Sequence, residues 1–464
     1  MEFKYFIFIL AVMGVIPLTL LFMLSQKSMK ACVFLLPICF WKYQSTAINF
    51  FSNPAYKGTA LGFEISIIHL LAIALLAAMF LRGWPVKMLL PGFGLYILYF
   101  LICSLSIQAS EQIIYSYFEL TKMLLLALVF IALANYFYIT HDFDSFLNGL
   151  TAIILVSFIV SLKMKYLDGR VQVNGIFPHQ NSHGMFMCLI GPLFLARLLN
   201  SKESILKFAI SLSTFLMSFL CMLFTYSRGS LACFPLGCAI TILISVSFHS
   251  SMKTMMVLLV TSTLGIMATI YAGPRIINRF EKAPQASADM RKMLAEIAMN
   301  IIKDKPFLGC GINTWGIAGK NPKYNPFLDV HFPREGYLGL VETTYLMVGA
   351  ECGLLGLTSL LCWFLYYLLL ALYQAFRWRK TDYFYLFAGL AGGFISNYLQ
   401  STLEWVLKQP INFCALITCF AIIAALLQNS KEKTFLSKLE FIAKRKELLQ
   451  QKKEEAMGNN QNVA

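Results

Sequence analysis

Four places in this sequence set side chains capable of chemistry against apolar flanks. In FTYSRGSLACF, Arg228 stands between two long hydrophobic runs. An arginine so close to hydrocarbon is costly unless it pairs or faces water. Its planar guanidinium offers paired donors that fit the non-bridging oxygens of a phosphate. A lone arginine that snorkels to the interface is the plainer alternative, but Ser227 and Gly229 beside it point to a site. Arg291 lies on the polar face of ASADMRKMLAEIAMNIIKD, with Lys292, Glu296 and Lys303. Further on, HFPREGYLGLVETTYLMVGAEC holds His331, Arg334 and Glu335, then Glu342 at the entrance of an apolar helix and Glu351 more than two turns deeper. Acids at helix starts often serve only as dipole partners, which is the structural reading of Glu342. The fourth place is DGRVQVNGIFPHQNSHGMFM, where His179, Asn181 and His183 precede a helix. Two histidines four apart suggest a metal pair, but Pro178 and Gly184 argue against a continuous helix there and no third ligand is near. No metal is therefore assigned, and Asn181 reads equally as a helix-start hydrogen-bonder or a substrate contact.

These residues must be positioned by membrane helices. The chain has 464 residues, 58% of them hydrophobic and only 13% charged, with a mean hydropathy of +0.68. A soluble domain of this size is excluded. Apolar runs fall at about 3–24, 30–41, 65–81, 88–107, 118–138, 146–162, 185–199, 206–224, 231–248, 254–272, 343–375, 383–400 and 411–427, where a span needs ~20 residues. The run 30–41 is too short to cross alone and 185–199 is marginal. The expected fold is thus all-α and polytopic, with about 12–13 transmembrane helices and one large loop containing amphipathic helices. Its divisions are 1–272 (N-terminal helices), 273–342 (the loop, roofing a site), 343–428 (C-terminal helices) and 429–464 (a basic amphipathic tail on the anionic inner leaflet). The first run has no small-residue cleavage site and reads as a retained helix.

Lys and Arg in alternate short breaks assign those breaks to the cytoplasm. Alternation puts 273–340 outside, together with 42–64, 108–117, 164–184, 225–230 and 401–410. Thirteen spans would also place Met1 outside, whereas a cytoplasmic N-terminus requires 1–41 to form a hairpin or a partly inserted helix. The net charge of +15 sits in membrane-flanking breaks and the tail, so nucleic acid is not an expected partner. Most of the twelve cysteines lie in or beside apolar runs, without a CxxC pair, and read as small hydrophobes. Glu119 and Lys122, three apart at the first turn of a span, read as a structural pair. Between Gly273 and Leu340, ten Lys/Arg against six Asp/Glu favour an anionic ligand.

Three stretches, GIFPHQNSHGMFM, TYSRGSLA and the segment from Arg291 through IIKDKPFLGCGINTW to TTYLMVGAECGLLGL, resemble the O-antigen ligase and polymerase superfamily, membrane glycosyltransferases of the GT-C class. The similarity covers about residues 170–360. It implies a glycan donor on polyprenyl diphosphate, a lipid, glycan or protein acceptor, membrane lipids as surroundings, and neither metal nor nucleotide cofactor. It also implies the bacterial inner membrane, with the site facing the periplasm. Carried over by motif, Arg228 and Arg291 would hold the diphosphate, and Asn181, with His179 and His183 in the same segment, would belong to the cavity. Where the family has His-Asn, this chain has Glu342-Thr343. The base role would then fall to Glu342 or to His331. An inverting ligase is the leading expectation; a repeat-unit polymerase, a lipid-linked glycan flippase and an inactive binding relative are the alternatives.

Overall fold

The computed structural model describes residues 2–41, 47–200, 204–249, 251–281, 285–332 and 336–430. Arg334, Glu335 and the basic tail from residue 431 lie outside these residues. The chain is an all-α polytopic membrane protein, and each of the thirteen apolar runs falls on a helix: α1 (Glu2–Leu24), α2 (Gln26–Ile38), α3 (Ile67–Leu81), α4 (Phe93–Ser106), α5 (Ile113–Thr140), α6 (Asp144–Leu162), α7 (Gln180–Asn200), α8 (Ile205–Thr225), α9 (Arg228–Phe248), α10 (Met252–Glu281), α13 (Thr344–Arg377), α14 (Phe384–Gln400) and α15 (Pro410–Ser430). Between α10 and α13 come the amphipathic α11 (Gln285–Asp304) and the short α12 (Trp315–Ala318). Among the described residues, eight helices are long and apolar enough to cross a bilayer and three shorter apolar ones accompany them. The count of clear spans is lower than the twelve or thirteen runs because α2, α3, α4 and α14 are only 13–17 residues long and α10 contributes only the apolar stretch Met252–Thr263 among the described residues.

The marginal run at 185–199 proves to be the middle of the bundle. α7 packs against α8, α9 and α14, and its spanning window is wholly buried. A helix surrounded by protein need not be as apolar as one that meets lipid, so Ser182, His183 and Arg197 are accommodated inside it. Contrary to the sequence reading, α7 runs unbroken through Gly184. A Cβ there would lie 2.0 Å from Ser230 Oγ, so the glycine serves close approach of α7 to α9 and not a break.

The loop region forms its own small core. Leu294, Ile297, Ala298 and Ile301 of α11 pack on Trp315, Leu338, Val341, Met347 and Ala350, so the apolar stripe expected on a surface helix is covered by the rest of the loop. A two-stranded antiparallel hairpin, β1 (Ile48–Phe50) with β2 (Phe63–Ile65), joins this region. Asn313 Nδ2 donates to the Ala60 and Tyr115 carbonyls at 2.9 and 2.8 Å, tying loop, hairpin segment and α5 together.

α13 is broken at Gly353, whose φ of 65° and ψ of −171° are closed to other residues without strain. The interrupted backbone groups find partners in the loop: Leu354 N donates to Pro306 O at 2.7 Å, and Cys310 N and Gly311 N donate to Ala350 O and Glu351 O. Non-helical backbone at this depth is tolerated because it is buried in protein. Beside the break, Lys122 Nζ lies 2.6 Å from Glu119 Oε2, and Lys408 Nζ lies 3.2 Å from Glu119 Oε1 and 3.9 Å from Glu351 Oε2. The Glu119–Lys122 pair is thus sealed inside as half of a neutral quartet that clamps α5, α13 and the segment before α15.

Candidate active site

A cavity of about 670 Å³ opens at the end of the bundle where α7, α9, α13 and α15 begin. Several of its chemical groups stand at or just before a helix start. α8 ends at Thr225, Tyr226 turns the chain in a left-handed conformation (φ 47°), and Ser227 caps α9 through a bond from Ser230 N. Two residues thus reverse the chain and set Arg228, the first residue of α9, in the cavity wall. The N-terminus of α9, like that of α7, presents the positive end of a helix dipole, a setting suited to anions.

At the start of α7, His179 and Asn181 line the same cavity. His179 Nδ1 accepts the Asn181 N–H at 3.2 Å, and burial lowers the basicity of the ring, in keeping with a neutral acceptor. His183 is elsewhere: it is buried, stacked on Phe177 at 5.2 Å and hydrogen-bonded to Ser157 Oγ at 2.9 Å.

Arg291 reaches the cavity from α11, and Glu342 from the residue before the N-cap of α13. Arg291 Nη2 lies 3.7 Å from Glu342 Oε2 and 3.7 Å from Glu404 Oε1. These distances exceed hydrogen-bond length, so the guanidinium forms an ion pair with each of the two carboxylates at a distance too long for a hydrogen bond. Among the described residues Arg291 Nε and Glu404 Oε2 are buried without a hydrogen-bond partner. Glu404 is held in place by backbone. Thr344 N and Oγ1 donate to its carbonyl at 3.3 and 3.0 Å, and Thr344 N also donates to Ser401 O at 3.0 Å. These bonds tie the 401–404 turn to the start of α13. The Glu404 carboxyl is pushed up to about 7, first by burial and then by the negative charge of Glu342, against the pull of Arg291.

The structure therefore brings Arg228, Arg291, Glu342, Asn181 and His179 to one cavity and leaves out His183 and His331. His331 is exposed, in a turn where its N–H donates to Phe327 O at 3.0 Å and its ring lies 6.4 Å from that of Phe327. Sequence reasoning missed Glu404 and Gln409, because the 401–410 break was assigned a side of the membrane and nothing more. The signal was present: a lone carboxylate between two apolar runs, in a break assigned to the same side as Arg228. Gln409 Oε1 accepts from Ser182 Oγ, linking the starts of α15 and α7. Among the described residues no three His, Cys, Asp or Glu side chains gather as a metal ligand set.

A second cavity, about 490 Å³ and almost wholly apolar, lies among α8, α9 and α10 and includes Phe215, Phe219, Phe234 and Ile242. Ala232 borders both cavities, so the charged chamber and the apolar one meet across a single residue of α9.

Fold and cavity together define a polytopic α-helical membrane protein with a charged chamber at one end of its bundle. Residues 213–361, about a third of the chain, match the family model described as O-antigen ligase, a match that supports a membrane ligase- or polymerase-like function. The matched segment carries Arg228, Arg291 and Glu342; the GIFPHQNSHGMFM stretch and Glu404 lie outside it. No curated protein matches the chain.

Proposed function

We propose that the protein transfers a glycan from a polyprenyl-diphosphate carrier to an acceptor hydroxyl, as an inverting ligase that uses no metal, at the periplasmic face of a bacterial inner membrane. The observation that carries this reading is the pairing of chambers: two arginines and two helix N-termini stand at a charged cavity, and an apolar cavity meets it at Ala232. A lipid diphosphate needs both environments at once. The diphosphate would sit on Arg228, Arg291 and the N-terminus of α9, with the isoprenoid chain along Phe215, Phe219 and Phe234.

Bond breaking at the anomeric carbon then leaves negative charge on the diphosphate, and fixed guanidinium groups lower the barrier by meeting that charge as it develops. Holding donor and acceptor in one chamber supplies the remaining advantage through orientation. The acceptor hydroxyl loses its proton to a carboxylate of the cavity wall, for which Glu342 is the candidate read from sequence. A polymerase would use the same donor chemistry with a second carrier-linked glycan as acceptor. The position of the charged cavity at one end of the bundle favours interfacial chemistry over transport through the middle.

Binding of a polyprenyl diphosphate to the purified protein in nanodiscs tests the donor assignment. Wild type should bind it more tightly than the corresponding polyprenol by a factor of ~10² or more, and Arg228→Ala and Arg291→Ala should each remove most of that difference. Equal binding of both lipids by wild type would end this reading.

A further inference from the structure

The family histidine position is occupied by Glu342, yet Glu342 does not stand alone. Arg291 Nη2 is 3.7 Å from one oxygen of Glu342 and 3.7 Å from one oxygen of Glu404. A single guanidinium thus faces two carboxylates, and two like charges in one site are relieved when one of them keeps a proton. The two acids differ in surroundings. The Glu342 side chain is 35% exposed, while that of Glu404 is 5% exposed, with Oε2 buried and unpartnered among the described residues.

We propose that Glu404 is the base that receives the acceptor's proton, working with Glu342 as a carboxylate pair that shares one proton beside Arg291. The proposal rests on the donor reading above and adds the residue and the pathway for the proton. As the acceptor oxygen bonds to the anomeric carbon, its O–H bond breaks and the proton passes to a Glu404 carboxylate oxygen. The bond from the anomeric carbon to the diphosphate oxygen breaks at the same time, and its electron pair stays on the diphosphate. Glu342, the exposed member, then hands the proton to water and restores the pair. No other reactant is needed. A carboxyl raised to about 7 is matched to this task, because a base works best when its basicity is near the operating pH.

The groups facing Glu404 set the sign of the pH dependence. They are Arg291 from α11, Glu342 from the start of α13, the neutral amide of Asn181 from α7, and, across the cavity, Arg228 and His179. Protonated Glu404 cannot accept a proton, so transfer should rise with pH through about 7. His179 would add to this rise only if its ring were the titrating base, and the Glu404 variants separate the two.

The test has two readouts on the full-length protein in lipid nanodiscs. The first is the protonated-carboxyl band in infrared pH titrations without substrate. The difference between wild type and Glu404→Gln should contain one carboxyl titrating near neutrality, and in Glu342→Gln that carboxyl should titrate at lower pH. A difference with no such band would overturn the shared proton. The second is transfer from a short synthetic glycan on polyprenyl diphosphate to solubilised lipid A core. Glu404→Gln should lose ~10²–10⁴-fold in rate while still binding the donor, and Glu404→Asp should regain part of the loss with a shifted pH profile. Glu404→Gln with wild-type rate and pH profile would overturn the base assignment and leave the donor reading standing. Wild type that binds the donor yet transfers nothing overturns the base role whichever way the infrared titration falls.

Discussion

Replacing Arg291 separates what its charge does from what its shape does. At 3.7 Å, a unit pair in an effective dielectric of 20 is worth about 4.5 kcal/mol. The guanidinium is about one-third exposed, so water screens much of this, and removal of the charge should raise the titration of the Glu404 carboxyl, which Arg291 holds down. Arg291→Ala should therefore move the infrared titration upward. It should also cost ~10²–10³-fold in transfer, as the loss of one fixed donor to developing charge does in other enzymes. Arg291→Lys keeps the charge and loses the fork; its infrared titration should stay near wild type, while transfer falls by ~10-fold or more. The assay is the same pair of readouts, infrared titration and transfer to lipid A core, on protein that elutes as a single species. Arg291→Ala with both wild-type titration and wild-type transfer would refute the reasoning, because no other cation is placed within ion-pair distance of both carboxylates among the described residues.

Four further outcomes follow. His331→Ala, outside the cavity, should keep transfer within about twofold of wild type, measured in the same assay. Lys408→Met should lower thermal stability by ~3–5 kcal/mol, since it leaves Glu119 and Glu351 buried with one cation between them; thermal unfolding in detergent reads this. Gly353→Ala puts a Cβ 2.2 Å from Phe307 O at a φ of 65° and should cost more than ~3 kcal/mol, visible as lost yield or a lower Tm. Because folding raises the Glu404 carboxyl from the ordinary 4.5 to about 7, the folded state binds more protons in that window, and the Glu404 contribution to stability should fall as pH rises through it. Glu404→Gln should flatten that slope in Tm measured against pH.

How much of this was legible in the sequence follows from the range of the signals. Hydropathy is a local property, and each apolar run marks a helix. It underrates α7, because burial by protein replaces burial by lipid. Arg228 and Arg291 stood out since a cation beside hydrocarbon or on an amphipathic face is visible within a few residues. Glu404 did not stand out, because its meaning comes from Arg291, more than a hundred positions away, and from the bonds of Thr344 to the 401–404 turn. His183 and His331 looked equivalent to His179 as residue types. Only packing distinguishes a ring stacked on Phe177 and a ring in an exposed turn from one that borders the cavity. Likewise a single run over 343–375 gave no warning of the break at Gly353, where one glycine and the loop carbonyl of Pro306 divide the helix.

The most direct test of the central claim is glycan transfer by the purified protein, in EDTA, from a polyprenyl-diphosphate glycan to lipid A core or to a second carrier-linked glycan. Wild type should transfer to one of these acceptors, and Arg228→Ala and Arg291→Ala should each fall by ~10²-fold or more while remaining folded. Transfer at the wild-type rate by both arginine variants would contradict the assignment of the cavity as the diphosphate site.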